Sequence, residues 1–167
     1  MVVAMRTVIG VMGSGRPLSH AEEARAFTLG RLIAEAGWVL LTGGRDEGVM
    51  DAASRGARQA GGLVLGILPD DSPGSASEHL DVAVYTGMGD ARNVVNVLSS
   101  RIVIALPGGA GTLSEVAHAL NARRPVITCG WDPGEVLRRA GGLLLHVTDS
   151  PEGAVAKARL LLAEDAS

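Results

Sequence analysis

The chain is poor in lysine, cysteine and aromatic side chains, and each shortage excludes something. A single cysteine, Cys129, rules out a disulfide framework and a cysteine-based zinc site, and it fits a reducing, cytoplasmic setting. Aromatics are 2% of the 167 residues, and Phe27, Trp38, Tyr85 and Trp131 are scattered, so no stacking platform for single-stranded nucleic acid is expected. A net charge of −3 and a pI near 5.8 leave no basic surplus for a phosphate backbone, so no nucleic-acid partner is expected. Apolar runs are broken by glycine or proline well short of the ~18 residues that span a bilayer, so no membrane partner is expected. Met1 to Gly10 carries Arg6 but no long apolar core before a cleavage site, so no signal peptide is expected. His20, His79, His118 and His146 share no ligand spacing, and no metal is expected.

Glycine and aliphatics are abundant. There are 23 glycines, in clusters without a fixed period, and 47% of residues are hydrophobic. A chain of this length buries about 70% of its unfolded surface and folds as one domain, residues 1–167. Short aliphatic runs alternate with amphipathic stretches. Strands are expected at Thr7–Met12, Trp38–Thr42, Leu63–Leu68, Val82–Tyr85, Arg101–Leu106, Pro125–Thr128 and Leu143–Val147. Helices are expected from Ser19 to Gly37, where Ser19 and Glu22 form a capping box, and at Val49–Ala60, Ala91–Leu98, Thr112–Asn121, Glu135–Arg139 and Ala154–Ala163. Asp70–Ser77 reads as a surface loop. This alternation predicts parallel β-α-β units with both sheet faces covered: a Rossmann-like, doubly wound parallel sheet in a three-layer αβα sandwich. Such folds bind ligands at the carboxyl ends of their strands. Three glycine clusters fall there: Gly13-Ser14-Gly15, Gly43-Gly44 and Gly108–Gly111.

The sharpest motif is Pro107-Gly108-Gly109-Ala110-Gly111-Thr112-Leu113-Ser114-Glu115, between a strand and a helix. Unsatisfied N–H groups and the dipole make a helix start attractive to an anion, and glycine lets the anion approach. The plainer alternative is a glycine turn that packs strand on helix. The motif is not a Walker A loop, since Lys157 is the only lysine. It is not a dinucleotide fingerprint either: the third glycine is missing, and Thr42-Gly43-Gly44 stands where an acidic residue would end the second strand. Glu115 is expected in the first turn of its helix, where the dipole favours the carboxylate. Arg92 opens another helix and is placed to meet Glu115 at one strand-end crevice, where the two serve phosphate binding and acid–base or charge-stabilising chemistry. The plainer alternatives are a dipole-complementing glutamate and a surface pair of Arg92 with Asp90.

The Pro107–Glu115 stretch resembles the PGGxGTxxE signature of the LONELY GUY family and its relatives, often labelled lysine decarboxylases. Gly43-Gly44 with Gly48-Val49-Met50-Asp51-Ala52-Ala53 resembles the family's GG…GLMxAxxxGA stretch, and Leu63–Pro69 its VIGVIP strand. The resemblance covers nearly the whole chain. It implies cleavage of the N-glycosidic bond of nucleoside 5′-monophosphates, releasing base and ribose 5-phosphate without a metal or other cofactor. It implies Arg92 and Glu115 as catalytic residues, and a phosphate cradle at Pro107, Gly108, Gly109, Gly111 and Thr112. Gly13, Ser14, Gly43 and Gly44 join as further candidate nucleotide contacts, and a homodimer is implied. Gly89-Asp90-Ala91-Arg92-Asn93 departs from the family's MHxRK pattern and is similar to a sister branch containing a molybdenum-cofactor carrier protein. Two functions follow: a phosphoribohydrolase, which the intact signature with Arg92 favours, or a non-catalytic carrier or sensor of a phosphorylated ligand, a nucleoside monophosphate or a pterin, which the variant favours. The expectation leans to the enzyme. Pyridoxal-dependent decarboxylation is excluded, because it needs a site lysine and Lys157 is remote from every glycine turn.

Overall fold

The computed structural model describes residues 5–165. Met1–Ala4, part of the segment read for a signal peptide, lie outside them. The strands are β1 (Val8–Met12), β2 (Val39–Thr42), β3 (Val64–Leu68), β4 (Val82–Tyr85), β5 (Ile102–Ala105), β6 (Val126–Cys129) and β7 (Leu145–Thr148). The helices are α1 (His20–Glu35), α2 (Gly48–Gln59), α3 (Arg92–Leu98), α4 (Ala110–Asn121), α5 (Gly134–Gly141) and α6 (Pro151–Glu164).

The strands form one seven-stranded sheet in the order β4-β3-β2-β1-β5-β6-β7, with every pairing parallel. The expected Rossmann-like three-layer αβα sandwich is the observed fold. Side chains alternate across the sheet, which splits the core in two. Ile9, Val11, Ile102 and Ile104 pack in the cluster formed with α1, α2 and α6. Met12, Val103 and Ala105 pack in the second cluster, with Val97 of α3 and Val116 of α4. Nearly continuous aliphatic strands are what a sheet covered on both faces requires.

Helices α1 and α2 meet backbone to backbone. A Cβ added at Gly30 would lie 2.0 Å from the Ala53 carbonyl oxygen, and one at Gly56 2.0 Å from that of Phe27. Only glycine permits this crossing. The capping box on α1 is present: the Ser19 hydroxyl accepts from the Glu22 N–H at 3.3 Å, and the Glu22 carboxylate accepts from the Ser19 N–H at 2.8 Å. Ser150 caps α6 more simply, its hydroxyl accepting from the Gly153 N–H at 3.1 Å with Pro151 at the first position.

Three local expectations are adjusted. The edge strand β4 is not covered on both faces: Val82, Val84 and Tyr85 are 47%, 42% and 39% exposed, because it pairs only with β3. The last strand begins at Leu145, since Gly142 at φ +49° opens a 3-10 turn through Leu144. Helix α4 begins at Ala110 rather than Thr112, which changes the position of Glu115.

Candidate functional site

The chain leaves β1 toward β2 on one side and crosses to β5 on the other. The carboxyl ends of β1 and β5 therefore flank the switch point of the sheet, where loops diverge and leave a crevice. A cavity of about 330 Å³ opens there. Its walls come from the turn after β1, the loop after β2, the start of α3 and the start of α4.

The start of α4 supplies uncapped donors. Gly109 is the N-cap residue and offers no side chain to the first-turn N–H groups. Gly109, Gly111 and Thr112 line the crevice, and a Cβ at Gly109 or Gly111 would meet no atom within 4 Å. The turn is braced from below. A Cβ at Gly108 would lie 2.0 Å from the Thr112 hydroxyl, and the Pro107 carbonyl accepts the Ser14 N–H at 3.3 Å. The Ser14 carbonyl accepts from Val49 at 2.9 Å, tying the first glycine turn to α2.

Arg92 is buried, 8% exposed, at the first position of α3. Its Nη1 donates to the carbonyls of Gly43 at 2.8 Å and Ile67 at 2.7 Å. These bonds stitch the ends of β2 and β3 to α3 and fix the guanidinium against the crevice. Gly43 must be glycine here, because a Cβ would fall 2.3 Å from Nη1 and 2.6 Å from the Met50 sulfur. Burial pulls the guanidinium below its ordinary value, against the attraction of Glu115. It stays a cation.

Glu115 faces Arg92 across the crevice and is 7% exposed. The expected ionised, dipole-stabilised carboxylate is not what the fold makes. Because α4 starts at Ala110, Glu115 sits in its second turn, beyond the donors of the first. Burial pushes its carboxyl up to about 7, while one hydrogen bond from Asn96 and the charge of Arg92 only partly offset this. It is poised to change charge near neutrality, as functional carboxyls often are.

The remaining sequence candidates divide plainly. Gly13, Ser14, Gly43, Gly109, Gly111, Thr112, Arg92 and Glu115 all line the one crevice. Gly44, Pro107 and Gly108 do not; they shape the turns beneath it, Gly44 at φ +78° with its N–H on the Thr42 hydroxyl. The structure adds residues the sequence reading did not single out as contacts: Gly15, Arg45, Glu47, Met50, Asp90 and Asn93. Arg45 approaches Glu47 at 3.5 Å and Asp70 at 3.4 Å, so the loops after β2 and β3 close on each other at the rim. The Gly48–Ala53 resemblance pointed to Met50's neighbourhood, and Asp90 stood beside Arg92 in the variant motif. For Arg45 and Glu47 there was no local signal. Lys157 lies on α6, away from the crevice.

A parallel αβα sandwich with a glycine-lined, arginine-bearing crevice at its switch point defines a Rossmann-like domain whose crevice presents unpaired backbone donors and positive charge. Comparison with known proteins narrows the class. The model of the SLOG cluster4 family matches residues 6–155, and the chain belongs to that family. It is similar to the molybdenum cofactor binding protein of Rippkaea orientalis, at 43% identity and a TM-score of 0.92, covering 96% of this chain and 99% of that one. It is also similar to the molybdenum cofactor carrier protein of Chlamydomonas reinhardtii, at 42% identity and a TM-score of 0.88, covering 95% and 99%. A cytokinin riboside 5′-monophosphate phosphoribohydrolase of Mycobacterium tuberculosis is 34% identical over 104 residues, 60% of this chain and 56% of that protein. The chain thus spans little more than half the length of that hydrolase.

Proposed function

We propose that this protein is a carrier of a phosphorylated pterin, the molybdenum cofactor, and that the crevice at the β1/β5 switch point is where the cargo sits. The observation that carries this reading is the uncapped, glycine-lined start of α4 facing a fixed, buried arginine, in a chain alike over nearly its full length to two molybdenum-cofactor proteins. The first-turn N–H groups of α4 take the phosphate, and Arg92 supplies positive charge without moving. A cavity of about 330 Å³ suits one small ligand. The balance thereby shifts from the hydrolase expected on the sequence to the carrier. The carrier is read as a homodimer, supported by the apolar side chains of Val94, Leu98 and Leu113 left exposed on α3 and α4.

One observation favours a second reading. A carboxyl pushed up to about 7 across from an arginine suits acid–base work on an N-glycosidic bond, as the names of the hydrolase relatives suggest. A single pair of measurements separates the two. Protein purified from cells that make the cofactor is assayed for bound molybdenum and pterin, and the same preparation is tested for base release from a panel of nucleoside 5′-monophosphates. Stoichiometric molybdenum and pterin with no base released is expected. Base release by wild type that disappears in Glu115→Gln replaces the carrier with the hydrolase. Size-exclusion with light scattering reports the assembly.

A further inference from the structure

Asn96 lies one turn beyond Arg92 on α3, in the seam between α3 and α4, and is 0% exposed. It does not line the crevice. Its Nδ2 donates to Glu115 Oε1 at 3.4 Å, a long bond, and no other side-chain hydrogen bond to Glu115 is found among the described residues. Its Oδ1 is buried without any partner. An orphaned carbonyl oxygen inside a protein is costly, and a fully buried amide that half satisfies itself calls for an explanation. Ser100 does not supply the missing bond: its hydroxyl donates to the Asn96 backbone carbonyl at 2.8 Å. That bond seats the end of α3 over β1, where a Cβ at Gly10 would lie 2.2 Å from the Ser100 hydroxyl.

A primary amide offers both a donor and an acceptor in nearly one volume, related by half a turn of its terminal bond. An ionised carboxylate only accepts; a carboxylic acid also donates. We propose that Asn96 is the positioning residue of Glu115: it presents an N–H to the carboxylate and its carbonyl to the carboxylic acid, so the crevice keeps one geometry at two charges. Arg92 makes no hydrogen bond to Glu115 among the described residues: its Nη1 donates to the Gly43 and Ile67 carbonyls, its buried Nε has no partner, and it bears on Glu115 through charge alone. The other charged groups lining the crevice are Arg45, Glu47 and Asp90, and of the four charges only that of Arg92 bears on Glu115. Helix α4 also packs on β5 and β6, which carry no charged residue, and on α5, where Glu135 pairs with Arg139 and Arg138 with Asp132 at the surface. Asn96 is therefore the neighbour able to follow the proton. The neutral acid lets an anionic cargo approach, and the carboxylate repels it. That last consequence rests on the carrier reading; the coupling of Asn96 to Glu115 does not.

The test uses the ligand-free protein, so its failure is separate from that of the carrier reading. Isotope-labelled wild type is titrated across neutrality while NMR follows the Glu115 carboxyl carbon and the Asn96 side-chain amide. Both signals are expected to move with one shared midpoint. An Asn96 amide that stays silent while Glu115 titrates overturns the proposal, with no variant needed. In Asn96→Leu the carboxylate loses its only side-chain donor, and the Glu115 midpoint is expected to rise by about half to one pH unit. Asn96→Asp, nearly isosteric, sets a second carboxyl beside Glu115 and is also expected to raise it. A merely structural asparagine lowers the melting temperature and leaves the midpoint in place, which overturns the assignment.

Discussion

Replacing Glu115 with glutamine removes one titratable group from the crevice with little change in size, and the folded protein should register the loss as a pH effect on stability. The carboxyl is pushed up to about 7 in the fold from an ordinary 4.5. Below the ordinary value it is protonated in both folded and unfolded chains, and the wild type carries no penalty. As pH rises toward 7 the unfolded chain ionises while the folded one still holds its proton. Stability is lost across that window, and the loss is complete once the folded group has ionised as well. The gap amounts to about 3 kcal/mol in full, and about 2–3 kcal/mol between pH 5 and pH 8. Glu115→Gln has no such group. Relative to wild type it should gain about 2–3 kcal/mol from pH 5 to pH 8, a melting-temperature difference of roughly 5–10 °C. Urea or thermal denaturation of both proteins at the two pH values checks this. Parallel stability curves would refute the reasoning, because they would mean that Glu115 is solvated enough to ionise normally.

Further perturbations test the crevice walls and the helix start. Gly111→Ala adds a methyl that meets no protein atom, so the fold should keep or gain about 0.5–1 kcal/mol while bound molybdenum and pterin fall at least tenfold; equal loss of stability and cargo would show that the glycine serves packing alone. In Gly43→Ala the new Cβ collides with the Arg92 guanidinium and the Met50 sulfur, and a loss of about 2–4 kcal/mol is expected by denaturant titration, together with loss of cargo. Arg92→Lys cannot hold the Gly43 and Ile67 carbonyls at once, so both stability and cargo content should fall, measured in one purified sample. Ser19→Ala breaks the capping box of α1 and should cost about 1 kcal/mol, read by thermal denaturation.

Much of the fold was legible because its causes are local. Aliphatic runs such as Ile102–Ala105 allow a strand buried on both faces, and the glycines that stop them mark the turns. Arg92 and Glu115 were expected to meet because each follows a strand that ends at the same edge of the sheet, and they do line one crevice. The rim was not legible. Arg45 and Glu47 look like ordinary loop charges until the loops after β2 and β3 close on each other. Asn96 looked like one polar residue in a short helix; only the α3–α4 seam reveals it as the hydrogen-bond donor to Glu115. The charge of Glu115 was misjudged because burial in the crevice wall, which no local pattern reveals, outweighs the pull expected of a helix start.

The amino-acid sequence by itself determined the alternation of strand and helix, the parallel sheet and the strand ends at which the crevice opens. These follow from hydrophobic period, glycine and capping, which act over a few residues. Only the tertiary structure decided which glycines face the crevice and which brace it, how Arg92 is immobilised, and that burial pushes the Glu115 carboxyl up to about 7. Those properties depend on water being excluded by side chains distant in the chain, and no local pattern carries that information.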